Sequence, residues 1–180
     1  MTIRQKAVQA LIIDVQERLF PVMDEKKKLE KKLVTLVTGL GILNVPMTLT
    51  QQYTKGLGET IPSVKEAVNA FNPMEKLSFS CCGEPEIMER LGKDHRNFVI
   101  VAGIEAHICV LQTVLELLEK GYTPVVVEDC ISSRNPKDKK IALQRMRQVG
   151  AIITTTESIL FELLGRAGGE TFKAISNLIK

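Results

Sequence analysis

Five short apolar runs, each closed by turn-forming or charged residues, constrain this chain most: Ala7 to Ile13, Pro46 to Thr50, Asn97 to Ala102, Thr123 to Val127 and Ala151 to Thr155. A run that is apolar throughout, rather than at alternate positions, is a strand buried on both faces, as in a parallel sheet. Between the runs the apolar residues shift to helical spacing, over Glu25 to Leu43, Ile61 to Ala70, Pro85 to Gly92, His107 to Lys120 and Lys137 to Val149. Strand and helix in alternation require right-handed crossovers, with helices covering both faces of the sheet. The prediction is a three-layer α/β/α sandwich around a mainly parallel, Rossmann-like sheet of about six strands.

Local punctuation agrees with this pattern. Gly121 and Gly150 stand where helices should stop, and Asn135-Pro136 where one should start. Two more helices are expected over Glu157 to Leu164 and Thr171 to Ile179, with Gly165 to Gly169 as the loop between them. At 180 residues, without a repeat or long linker, the chain is expected to be a single domain over 1–180. Its 24 basic and 21 acidic residues are interspersed, leaving a net charge of +3 and no basic block suited to nucleic acid or to a membrane surface. The lysines at 26–28 and 31–32 are diluted by Asp24, Glu25 and Glu30, and two tyrosines without a tryptophan leave little to stack on bases. The first apolar run meets a charge at Asp14, which fits neither a signal peptide nor a membrane span, so a cytoplasmic location is expected. Four cysteines without C-x-x-C spacing predict neither a disulfide framework nor a zinc knuckle, and Cys81, Cys82 and Cys130 read as packing residues.

Open parallel sheets bind ligands beyond the carboxyl ends of their strands. Asp14 ends the first run, Cys109 lies just past the one ending at Ala102, and Glu128-Asp129 follow the Thr123 run. The segment Phe98 to Cys109 reads as a buried strand that breaks at Gly103 and delivers Cys109 to the first turn of a helix. Unpaired N–H groups at a helix start favour thiolate, so Cys109 is expected to ionise more readily than an ordinary cysteine. Asp14 by itself has two readings, a helix cap or a general base. Lys76 by itself reads as a solvated lysine.

Taken together, Asp14-Val-Gln-Glu-Arg-Leu-Phe20, Lys76-Leu-Ser-Phe-Ser80 and Gly103-Ile-Glu-Ala-His-Ile-Cys109-Val, in that order and at those distances, resemble the isochorismatase-like cysteine hydrolases. Glu128 to Arg134, Ala142 to Met146 and Gly150 to Glu157, with Gln52 and Gly56-Leu-Gly58, are most similar to the subgroup of isochorismatase-domain-containing proteins. The resemblance implies an Asp14–Lys76–Cys109 triad. In it Asp14 accepts the thiol proton, Cys109 attacks an amide carbonyl to form a thioester, and Lys76 orients Asp14. It also implies a cis peptide at Ile104–Glu105 and an oxyanion hole made by the backbone N–H groups of Glu105 and Cys109. Nicotinamidases of this superfamily carry metal-ligating Asp and His residues after the second strand, where this chain reads Thr48 to Thr54, so neither metal nor cofactor is expected. The two histidines are His95, expected on the surface, and His107, expected in backbone hydrogen bonding or packing. True isochorismatases generally lack the nucleophilic cysteine, so its presence points to cleavage of C–N bonds. Gln16, Phe20, Gln52 and Glu105 are candidate pocket residues, with Phe20 equally suited to the core and Glu105 able to contribute only its backbone. The expected partners are a small-molecule substrate and further copies of the chain, as a dimer or larger. The alternative is a binding or scaffold protein that keeps the fold without turnover.

Overall fold

The computed structural model describes residues 2–180. Six strands form one sheet: β1 (Val8–Ile13), β2 (Met47–Gln52), β3 (Met74–Lys76), β4 (Phe98–Ile104), β5 (Thr123–Ser132) and β6 (Ile152–Thr154). Their order is β3-β2-β1-β4-β5-β6, and every neighbouring pair is parallel. The chain starts in the middle, winds outward through β2 and β3, then returns to the other side of β1 for β4 to β6. That reversal sets the carboxyl ends of β1 and β4 side by side, the place where open parallel sheets bind ligands.

Both faces of the sheet are covered. Ala10 and Ile12 of β1, Ile100 and Ala102 of β4, and Val125 and Val127 of β5 pack against α1 (Lys26–Ile42), α7 (Thr156–Leu164) and α8 (Gly169–Ile179). The alternate residues Leu11, Ile13, Val99, Val101 and Val126 face α4 (Pro85–Gly92), α5 (Leu111–Glu119) and α6 (Pro136–Gln148). Two short helices, α2 (Thr54–Leu57) and α3 (Pro62–Ala67), lie between β2 and β3. The three-layer sandwich is therefore the expected one. Among the described residues, no helix is long and apolar enough to cross a membrane.

Two strand features depart from the sequence pattern. β3 has three residues, one of them Glu75, and its pairing is supplied by the free edge of β2, where Gln52 stands opposite Lys76. β5 runs on to Ser132, because its register against β4 shifts between Val101, opposite Val126, and Gly103, opposite Ile131. The extra residues bulge outward and take Glu128-Asp129 away from those strand ends. Asp129 Oδ1 instead accepts from the Thr156 N–H at 2.8 Å and the Thr156 hydroxyl at 2.9 Å, holding the start of α7.

Candidate active site

The site begins with a close approach of two backbones. Ile13, the last residue of β1, stands opposite Gly103 of β4. Gly103 has φ +116°, and a Cβ there would lie 2.0 Å from the Ile13 carbonyl oxygen, so only glycine lets the strands run this near. Asp14 follows at φ +51°, in the left-handed region that aspartate tolerates better than most residues. Its N–H donates to Thr50 O at 3.2 Å. Its carboxylate is fully buried.

Two side chains from β2 and β3 meet that carboxylate. The Thr50 hydroxyl donates to Asp14 Oδ1 at 2.8 Å. Lys76 Nζ lies 2.7 Å from Asp14 Oδ2, with neither side chain exposed. The ammonium is also held by Gln52 Oε1 at 2.6 Å, Ser78 O at 3.0 Å and Phe79 O at 2.9 Å. Its three protons are shared among four acceptors, so Asp14 Oδ2 is charge-balanced without the lysine's protons being committed to it alone. A buried carboxylate in that state can accept a proton.

Cys109 arrives from the β4 side. After the cis peptide Ile104–Glu105, residues Ala106–Val110 form one π-helical turn that leads into α5. Glu105 O accepts from the N–H groups of Ile108 at 3.1 Å and Val110 at 3.2 Å. Cys109 is 7% exposed and belongs to the apolar cluster between the sheet and α4 to α6. Burial pushes its pKa up to about 12; the Asp14 charge adds to the rise, Lys76 opposes it, and Asp14 contributes again as an acceptor for the protonated thiol. The expectation of a ready thiolate is therefore corrected. Desolvation outweighs the helix start, and the resting sulfur is a thiol within the field of the Asp14–Lys76 pair.

The remaining candidates are placed as follows. Gln16 is fully buried; its Nε2 donates to Gln52 O at 3.0 Å and Gly58 O at 2.7 Å, while its Oε1 accepts from the Gln52 N–H at 2.7 Å. Gln52 gives its Oε1 to Lys76 and donates from Nε2 to Leu77 O at 2.7 Å. Both amides are committed to the frame around the lysine rather than to an open pocket wall. Phe20 packs in the core with Ile12 and Val15. Glu105 Oε2 accepts from Arg134 N and Nε, both at 3.1 Å, tying the start of the π-turn to the end of β5. His95 is exposed, as expected, while half-buried His107, expected in backbone hydrogen bonding or packing, has Nδ1 2.9 Å from the Ser133 hydroxyl.

Sequence reasoning missed two neighbours. Thr50 is legible only as the end of an apolar run, although its position beside Ile13 in the register is what brings it to Asp14. Cys81, a packing residue by its sequence context, lies in the same environment: its sulfur is 3.9 Å from the Thr50 hydroxyl, and burial, then Asp14, push its pKa up to about 12. Among the described residues, no three His, Cys, Asp or Glu side chains group in a way that could hold a metal ion. A cavity of about 750 Å³, lined by Gln9, Met47, Thr48 and Met74, opens at the amino ends of the strands, opposite this chemistry.

The family model of the isochorismatase domain matches residues 9–158. The chain belongs to the isochorismatase family. It is 36% identical over 169 residues to isochorismatase domain-containing protein 2 of Danio rerio, spanning 94% of this chain and 85% of that protein. It is 43% identical over 143 residues to isochorismatase family protein 1B of Dictyostelium discoideum, spanning 77% and 69%. A solved structure described as the MAR1 ribonuclease of Caenorhabditis elegans is 36% identical, with a TM-score of 0.93 and coverage of 99% of this chain and 92% of that one. This isochorismatase-family chain is thus an isochorismatase-like hydrolase by family, and belongs to the domain-containing subgroup its motifs resemble.

Proposed function

We propose that this isochorismatase-like protein is a metal-independent cysteine hydrolase that cleaves small amides or related acyl compounds through a thioester on Cys109. The observation that carries it is the fully buried Asp14 carboxylate, 2.7 Å from Lys76 and close enough to Cys109 to push its pKa up. Because the resting sulfur is protonated, proton transfer accompanies attack. As Cys109 Sγ bonds to the carbonyl carbon, its proton passes to Asp14, and the carbonyl electron pair moves onto oxygen, facing the N–H groups of Glu105 and Cys109. The oxyanion collapses, the C–N bond breaks, and the amine leaves with the proton held on Asp14. Asp14 then takes a proton from water as the water attacks the thioester. Carboxylic acid departs, and the thiol recovers that proton. Lys76 balances the carboxylate and is held in place by Gln52 and by the Ser78 and Phe79 carbonyls.

Ribonuclease activity, named for the similar worm protein, fits less well, because Asp14 and Lys76 have no exposed surface for a polymer phosphate to reach. We also propose self-association, supported by the apolar side chains of Ile141 and Val149, which stand exposed at α6 and its end. The hydrolase reading is tested by intact-mass spectrometry after incubation with a panel of small amides and esters, with an RNA oligonucleotide as a competing substrate. An acyl adduct that disappears in Cys109→Ala and decays more slowly in Asp14→Asn is expected. Ligand binding with no adduct, unchanged in Cys109→Ala, would identify a binding protein instead.

A further inference from the structure

Two of the acceptors around the Lys76 ammonium are carbonyls of one short turn, Ser78 O and Phe79 O, so where the ammonium sits depends on where the turn stands. The turn lies at the surface, and Leu77 and Phe79 leave 71% and 55% of their area exposed, so packing does not fix it. Hydrogen bonds do: Gln52 Nε2 holds Leu77 O at 2.7 Å, and one carboxylate oxygen takes three more. Glu84 Oε1 accepts from the Leu77 N–H at 3.0 Å, the Ser78 N–H at 3.0 Å and the Ser78 hydroxyl at 2.6 Å. Gly83 makes the fold-back feasible, because a Cβ there would stand 2.7 Å from Ser78 Oγ. The Ser78 hydroxyl first, then the two N–H groups, hold the Glu84 carboxyl below the ordinary carboxylate range, as charge-assisted bonds do.

We propose that Glu84 is a positioning residue for the Asp14–Lys76 pair: it locks the turn between β3 and α4 so that the Ser78 and Phe79 carbonyls hold the ammonium in place beside Asp14. Glu84 touches no reacting atom. With the clamp gone the turn relaxes, and the ammonium is no longer fixed 2.7 Å from Oδ2. The carboxylate that should receive the thiol proton then loses its fixed counter-charge. This rests on the proposed role of Asp14 as the base.

Alkylation of Cys109 by iodoacetamide requires the thiol proton to leave but no known substrate, so its rate, read by peptide mass spectrometry, is the probe. Glu84→Ala should slow it about tenfold, a part of the roughly 10²–10⁴-fold that a positioned base contributes. Glu84→Gln keeps an oxygen acceptor and should recover most of the rate. In a Lys76→Met background, adding Glu84→Ala should change nothing, because no ammonium remains to hold in place. Thermal melting of each variant confirms that the comparison is between folded proteins, and if Glu84→Ala does not fold, Ser78→Ala, which removes the shortest bond to Glu84, takes its place: a slower rate supports the clamp and a wild-type rate overturns it. A wild-type rate in Glu84→Ala, a Glu84→Gln variant slower by the same factor as the alanine, or an equal loss with and without Lys76 overturns the clamp. If Asp14→Asn slows alkylation and Glu84→Ala does not, the clamp alone fails. If Asp14→Asn has no effect, the base assignment fails and the clamp with it.

Discussion

Replacing Gly103 by alanine perturbs the point from which the site is built. The new Cβ would lie 2.0 Å from Ile13 O, 2.6 Å from Ile13 N and 2.7 Å from Ile13 C, where ordinary contact begins near 3.4 Å. All three are main-chain atoms of β1, so no rotamer change relieves the clash, and the strands must part by roughly 1 Å or more. At φ +116° alanine is strained as well. Strain of about 1–3 kcal/mol and overpacking of about 1–3 kcal/mol give roughly 2–6 kcal/mol in total. For a domain of this size that lowers the melting temperature by about 4–24 °C. Asp14 sits one residue past Ile13 and the Cys109 turn shortly past Gly103, so parting the strands also separates base from thiol; a misplacement of about 1 Å costs on the order of 100-fold in rate. Gly150→Ala is the control, since Gly150 has φ +104° but no atom within 4 Å of where its Cβ would stand, leaving strain without the clash. Thermal melting by circular dichroism, with Cys109 alkylation below the transition, measures both effects. A Gly103→Ala protein that melts no lower than Gly150→Ala and alkylates at the wild-type rate would refute the close approach of Ile13 as the determinant of the site.

Two further outcomes follow from the buried charges and thiols. Lys76→Met should cost about 3–5 kcal/mol, because it leaves Asp14 buried without its cation, whereas Lys76→Met with Asp14→Asn should recover part of that loss in urea denaturation; additive penalties would contradict a coupled pair. Burial raises Cys81 and Cys109 from 9.0 to about 12 and Cys82 to about 11, so folded protein keeps protons that the unfolded chain releases. That stability is whole below an unfolded pKa of 9.0 and is lost as pH rises toward the folded values. The slope is about 1.4 kcal/mol per pH unit for each thiol, and Cys109→Ala should remove one such share; denaturation midpoints that fall equally with pH in both proteins would argue against it.

Much of the scaffold was legible along the chain because its signals are local. All six residues of β1 are buried, as a continuous apolar run predicts, and the glycine and Asn-Pro punctuation marks real helix ends. β3 was not legible, since a three-residue edge strand takes its pairing from its neighbour and needs no apolar run. The longer β5 was hidden by the polar bulge at Glu128-Asp129. At the site, order and spacing identified Asp14, Lys76 and Cys109 as candidates through resemblance, and the fold brings all three to the same end of the sheet.

Their physical states could not be read the same way. Asp14 was equally a cap or a base on sequence, but in the fold its oxygens face Thr50 and Lys76. Lys76, a solvated lysine by its local context, is among the most deeply buried side chains. The sequence by itself determined which residues could lie at the carboxyl ends of which strands, because apolar period and turn chemistry depend on adjacent residues. Only the tertiary structure decided that burial pushes the Cys109 pKa up, that Asp14 lies 2.7 Å from a buried Lys76, and that Glu84 holds the turn above Lys76. Proton affinity and hydrogen-bond direction depend on burial and on groups brought together from distant segments.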